Sequence, residues 1–295
     1  MTDYANLITS ALISGLGLGS MYGLLALGFY ITYSVSNTVN FSQGSSMMLG
    51  AVFAFTFTNT LGWPLPLAAV ASLVLCAVYG LIVELIAIRP FARRGSNAWL
   101  MSTVALGLVV DNLVLFTFGK EPRGFSLPFA NASIQIGALK VSPLQLAIPA
   151  IGLLLAAALH FFSNKTRLGK AMLAVVQNRD AASLMGINVS LAVLLAYAVS
   201  TVFAGAAGIM IAPLFNVQAH MGTVFGLKAF AVAILGGITS AWGVMIAGLL
   251  YGVTEALITS LLGSAYTQIL TFSLVIIALA FMPNGLFGRA GVKKV

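Results

Sequence analysis

Residues 165–187 read KTRLGKAMLAVVQNRDAASLMGI and carry Lys165, Arg167, Lys170, Arg179 and Asp180. Apolar runs flank them, one from Pro143 to near His160 and another from Asn188 or Ser190 to Pro213. So hydrophilic a stretch between two segments fit for lipid is a loop in water, and the remaining chain is read outward from it as membrane spans.

Composition agrees. The 295 residues are 60% hydrophobic and 7% charged, with a mean hydropathy of +1.05. A soluble domain carries about 25% charged residues. At roughly 20 residues per span plus loops there is room for about eight to ten helices. Backbone groups in lipid must bond within their own segment, and the continuous apolar runs lack barrel alternation. The expectation is one all-α polytopic domain over residues 1–295, with about eight to nine transmembrane helices and one or two broken or re-entrant segments. The net charge of +8 sits in short loops and the tail, which is the topological pattern of a membrane protein, so nucleic acid is set aside. The single Cys76 has no intrachain partner.

Upstream, a first span runs from about Asn6 to Tyr33 with Gly15, Gly19 and Gly23 at four-residue spacing, which lets a second helix approach closely. The start MTDYANLITS is acidic where a signal peptide is basic, so it is read as retained. SNTVNFSQGSS, residues 36–46, interrupts with polar but uncharged side chains before a second span to about Phe57. A third covers Leu67 to Ile88, stopped by Pro90, and a fourth runs from Trp99 to Phe118. Gly119 to Ser142 forms an outer loop in which SIQIGALKVS alternates like a hairpin. Downstream, Gly222 to Ile238 is a weaker seventh crossing that holds Lys228, expected to snorkel to the outer interface. Trp242 to Leu262 and Ala265 to Met282 complete nine. The groups Arg89/Arg93/Arg94, Lys165/Arg167/Lys170/Arg179 and Arg289/Lys293/Lys294 then all fall inside, with the N-terminus outside and the C-terminus inside.

Four landmarks in order carry a resemblance. DAASLMG, residues 180–186, resembles the E-A-A-x-x-x-G loop of bacterial ABC importer permeases, with Asp180 in place of the glutamate. NFSQG at 40–44, the glycine-rich LKAFAVAILGGITSAWGVMIAGLLYGVTEAL at 227–257 and MPNGLFG at 282–288 are similar to segments of the LivH-type branched-chain amino acid permeases. Two departures stand: no I-x-L-P follows Gly186, and Gln43 occupies a position where that branch often has His.

The resemblance implies a permease subunit in a bacterial inner membrane, importing branched-chain or related amino acids, or a similar small polar solute. It implies as partners a second homologous permease subunit, two cytoplasmic ATPase subunits and a periplasmic binding protein. It makes 163–187 a cytoplasmic coupling loop and Arg179, Asp180, Ala181, Ala182 and Gly186 the residues that dock the ATPase. Their chemistry is compatible: alanines favour a short helix, Gly186 suits its end, and the Ala181-Ala182 face admits another surface. A solvated loop that merely satisfies the charge rule has the same spacing. No G-x-x-x-x-G-K-[ST] occurs, so ATP is hydrolysed elsewhere. No nucleophile, acid–base pair or metal cluster stands out, so no catalytic residue, metal or cofactor is assigned; His160 and His220 are far apart and read as interfacial.

Candidate path residues are Asn40, Ser42, Gln43 and Gly44 at the first break and Gly236, Gly237 and Thr239 at a matching second one. Helix capping explains the first group equally, and close helix packing the second. Asp111, Glu255 and Glu84 lie within spans. Structural pairing is the preferred reading, but Asp111 and Glu255 also fit the proton sites of a secondary transporter. A non-transporting scaffold is the third alternative.

Overall fold

The computed structural model describes residues 2–125, 134–136, 139–282 and 284–288. The tail cations Arg289, Lys293 and Lys294, and Pro283, lie outside them.

Twelve helices and a short ribbon are described. Helix α1 (Thr2–Ser36) is the axis of the bundle. It ends at Asn37, whose φ of 56° lies in the left-handed region that asparagine tolerates better than most residues. After a non-helical step comes α2 (Gln43–Phe55), which widens into a π-helical turn over Thr56–Thr60. Helix α3 (Leu65–Ile82) continues through a second π-helical stretch, Val83–Ile88, into α4 (Arg89–Ala92). Pro90 therefore does not stop the span. It sits in the first turn of α4, where its missing N–H is not needed.

Then follow α5 (Trp99–Phe118), β1 (Ile134–Ile136) and β2 (Leu139–Val141). The two strands pair antiparallel with Gln135 opposite Lys140, the hairpin anticipated from the alternation. Next come α6 (Pro143–Lys165), the insert helices α7 (Arg167–Gln177) and α8 (Arg179–Leu184), and α9 (Val189–Ile211). Helices α10 (Met221–Gly236), α11 (Ala241–Leu262) and α12 (Ser264–Phe281) close the bundle.

Glycine contacts set the packing. The helix that approaches Gly15, Gly19 and Gly23 is α11, running antiparallel: their faces meet Val253, Leu249 and Met245 in turn. A Cβ on Gly252 would lie 2.2 Å from the Gly19 nitrogen. On the other flank Gly50 meets Gly205, and Gly80 meets Tyr197 and Thr201, fixing α2 and α3 against α9. With so little hydrophobic drive between helices in lipid, such backbone approach is what holds spans together.

Among the described residues seven helices are long and apolar enough to cross a membrane, and α10 is a shorter apolar helix. Helix α2 begins partway along α1 and α9, where Gln43 meets Gly28 and Ser200. One end of the bundle gathers Ser36, Glu84, Arg89, Arg93 and Arg179 around a single cavity. At the opposite end Arg123 pairs through its backbone with Val217. Helix α10 begins beside the start of α2 and the middle of α5, where Gly222 meets Gly44 and Thr223 bonds Asp111, and beyond its other end Leu286 donates its backbone N–H to Leu235 at 2.7 Å.

Candidate functional site

The hydrophilic insert is two helices instead of the single short helix expected. Asn178 breaks it, and the Asn178 side chain accepts from the Ala181 N–H to start α8, just as Thr166 accepts from the Gly169 N–H to start α7. Helix α7 is amphipathic, with Met172 and Val175 buried beneath it. In α8 the alanines face opposite ways: Ala182 is buried and Ala181 exposed. Gly186, at φ +82°, ends the stretch in a conformation that disfavours any side chain.

Two residues on this insert were not singled out from the sequence. Leu184 and Met185 are 89% and 81% exposed, close in sequence to the exposed Asp180. Large apolar side chains in water at the tip of a polar loop are the mark of a surface that another protein covers. In the sequence they occupy unspecified positions of the 180–186 motif.

Arg179 turns inward. Its Nη2 donates to the Val35 carbonyl at 2.6 Å, at the carboxyl end of α1, where a cation meets both unsatisfied carbonyls and the negative end of the helix. The segment that follows is fastened to α9: the Tyr197 hydroxyl and Thr38 Oγ1 lie 2.6 Å apart, and Thr38 also bonds Ser36. The insert thus grips the point at which α1 gives way to the break before α2.

At that break, Asn40 Oδ1 accepts from the Ser42 N–H at 3.0 Å and the Ser42 hydroxyl at 2.7 Å. Gln43 is fully buried. Its Nε2 donates to the Ser200 carbonyl at 3.1 Å, and its Oε1 receives Ser200 Oγ at 3.1 Å and Asn40 Nδ2 at 3.3 Å. The amide fills the space left by Gly28, where a Cβ would fall 1.8 Å from Nε2. Asn40, Ser42 and Gln43 are therefore satisfied by the protein itself. Gly44, the fourth residue singled out there, lines a cavity of about 150 Å³ together with Phe29, Phe41, Asp111, Gly222 and Thr223.

The second group lies elsewhere. Gly236 packs on Gly243 and Val244, and Gly237, at φ +83°, packs on Gly288 of the tail. With Thr239 they form the turn between α10 and α11, at the end of the bundle that carries the insert and not at the cavity. The two breaks do not form one site.

The carboxylates within spans also separate. Lys228, expected at the outer interface, is buried and forms an ion pair with Glu255 at 2.6 Å. Its side chain lies on the α10 face that packs against α1 and α11, with Nζ 5.9 Å from the Tyr22 ring centroid. Glu84 pairs with Arg89 at 2.8 Å. Asp111 Oδ2 accepts from the Thr223 hydroxyl at 3.3 Å, with Ser45 and His220 also near the carboxylate.

Comparison with known proteins places these features. Residues 11–279 match the family described as "Branched-chain amino acid transport system / permease component". The chain is similar to the high-affinity branched-chain amino acid transport system permease protein LivH of Escherichia coli (strain K12), at 31% identity covering 96% of both chains. It is similar to the corresponding BraD of Pseudomonas aeruginosa, at 30% identity covering 96% of this chain and 97% of that one. The galactose/methyl galactoside import permease MglC of Escherichia coli (strain K12) is 28% identical, covering 76% of this chain and 69% of its own. A chain of the solved PsaBC complex from Streptococcus pneumoniae superposes with a TM-score of 0.49 at 14% identity, covering 92% and 91%.

Proposed function

The chain belongs to the branched-chain amino acid transport permease family, and from that membership we propose the way it works: the 163–187 insert is pulled by a cytoplasmic ATPase and opens a path for branched-chain or related amino acids. The protein is a multi-pass membrane permease subunit of an importer. We assign it two ATPase subunits, a second homologous permease and a periplasmic binding protein, with the insert and the C-terminus cytoplasmic and the N-terminus periplasmic. The clustering of Arg89, Arg93, Arg94, Lys165, Arg167, Lys170 and Arg179 toward one end supports that orientation.

The observation that carries the mechanism is the Arg179–Val35 bond. A partner holding Leu184, Met185 and Asp180 moves α8 as a rigid piece. Arg179 passes that movement to the end of α1, and Tyr197–Thr38 passes it to α9. Helices α1 and α9 both pack on Gln43, through Gly28 and Ser200, so the displacement reaches the start of α2. Rigid-body rocking of packed helices is the usual form of such switching. Amino acids are preferred to sugars as cargo because similarity to the amino acid permeases spans nearly the whole chain, whereas similarity to MglC spans three quarters.

The proton-coupled alternative is weakened by Glu255, whose charge is already matched by Lys228. The test is reconstitution in vesicles with the binding protein and ATPase subunits. Leucine uptake that requires ATP and is insensitive to a proton uncoupler supports the proposal; uptake without nucleotide ends it.

A further inference from the structure

Asp111 is 4% exposed, in the middle of α5, and Oδ1 has no hydrogen-bond partner. Glu84 and Glu255 each hold a cation, but Asp111 has none among the described residues. A carboxylate buried beside the hydroxyls of Thr223 and Ser45, with His220 also near it but no ion pair formed among the described residues, is half of an interaction.

The missing half belongs in the cavity that Asp111 lines. Facing it are the first turns of α2 and α10. Helices α6, α7, α8, α9 and α11 each begin with a side-chain cap from Ser142, Thr166, Asn178, Asn188 or Ser240. Ser42 and His220, at the starts of α2 and α10, make no such bond, and neither do the residues that open α3, α5 and α12; the starts of α2 and α10 differ in facing the cavity. The N–H groups of Gln43 and Met221 are taken by the Asn40 and Gln218 carbonyls, which leaves those of Gly44 and Ser45 and of Gly222 and Thr223 for another acceptor, at the positive ends of both helices. The two starts touch: a Cβ on Gly44 would lie 2.0 Å from the Gly222 carbonyl oxygen. Phe29, Phe41 and Phe230 supply apolar walls.

One cavity thus offers an anion, a set of anion-seeking N–H groups and an aromatic wall. We propose that it holds the α-amino acid in transit, ammonium on Asp111 Oδ1, carboxylate at the uncapped first turns of α2 and α10, and aliphatic side chain among Phe29, Phe41 and Phe230. This rests on the importer reading above and adds the recognition chemistry. Grip on both charged ends of a zwitterion excludes sugars, which offer neither.

The test uses the complex isolated with its ATPase partners, carrying Leu108→Cys at the cavity rim and Cys76→Ser. Millimolar L-leucine is expected to slow maleimide labelling of the rim cysteine, and 4-methylpentanoate, which lacks the ammonium, to leave it unchanged. Asp111→Asn, in a complex that still copurifies with the ATPase, is expected to abolish the protection and to lower ATP-driven leucine uptake about ten-fold or more, the loss of a charged hydrogen bond. Equal protection by both compounds, no protection by leucine, or undiminished uptake by Asp111→Asn overturns the site while ATP-driven uptake by the unaltered protein leaves the importer reading standing. Should Asp111→Asn not assemble, the leucine and 4-methylpentanoate comparison decides alone. Absence of ATP-driven uptake by the unaltered protein instead defeats the importer reading.

Discussion

Replacing Lys228 by methionine tests what the buried pair with Glu255 is for. The two charges sit 2.6 Å apart with side chains 7% and 10% exposed. With an effective dielectric constant of about 20, their attraction is roughly 6 kcal/mol. Taking both ions out of water costs several kcal/mol each, so the intact pair adds little net stability. Removing one partner is another matter. Glu255 Oε2 already lacks a hydrogen bond, and without Lys228 the whole carboxylate is buried and uncompensated, a loss of about 3–5 kcal/mol. Removing both, as Lys228→Met with Glu255→Leu, takes away the uncompensated charge and is expected to recover most of that loss. The assay is a double-mutant cycle on reversible unfolding in mixed micelles, with leucine uptake measured in parallel. A coupling energy near zero refutes the pairing argument. So does a Glu255→Gln protein of unchanged stability that has lost all uptake, because that is how a proton site behaves.

Gly252→Ala is expected to separate α1 from α11 and prevent assembly, since its Cβ meets the Gly19 backbone, whereas Gly17→Ala, with nothing nearer than 3.9 Å, is expected to be silent in yield and melting temperature. Leu184→Asp is expected to weaken copurification with the ATPase without altering the stability of the isolated permease, because Leu184 is 89% exposed. Gly186→Val, forced into positive φ, is expected to cost roughly 1–2 kcal/mol in unfolding experiments, and Gly186→Asn much less. Arg179→Met is expected to leave the ATPase bound while uptake per ATP hydrolysed falls, because the bond to Val35 is lost behind an intact docking surface; unchanged coupling rules out the proposed linkage.

Much of this was legible in the chain because it rests on local chemistry. Trp99 to Phe118 was bounded to the residue, since apolar length and a following glycine define a span without reference to neighbours. Asn188 was recognisable as a cap for the same reason. Lys228 was misplaced: a lysine near the end of an apolar run reads as snorkelling unless its partner, 27 residues away on the next helix, is known to face it. Pro90 read as a stop because a sequence does not reveal that the preceding helix has ended in a π-helical turn and a new first turn has begun.

By itself, then, the sequence determined a lipid-embedded helical chain and most of its spans, because hydropathy acts over one segment at a time. Only the tertiary structure decided which polar residues are left unsatisfied. Gln43, Glu255 and Asp111 look alike as polar interruptions of apolar runs, yet the first is closed by Ser200 and the second by Lys228, while the third keeps one oxygen, Oδ1, without a hydrogen bond among the described residues. Hydrogen bonds and ion pairs inside a bilayer are formed between helices distant in sequence, so what remains open for a ligand is known only once those helices have met.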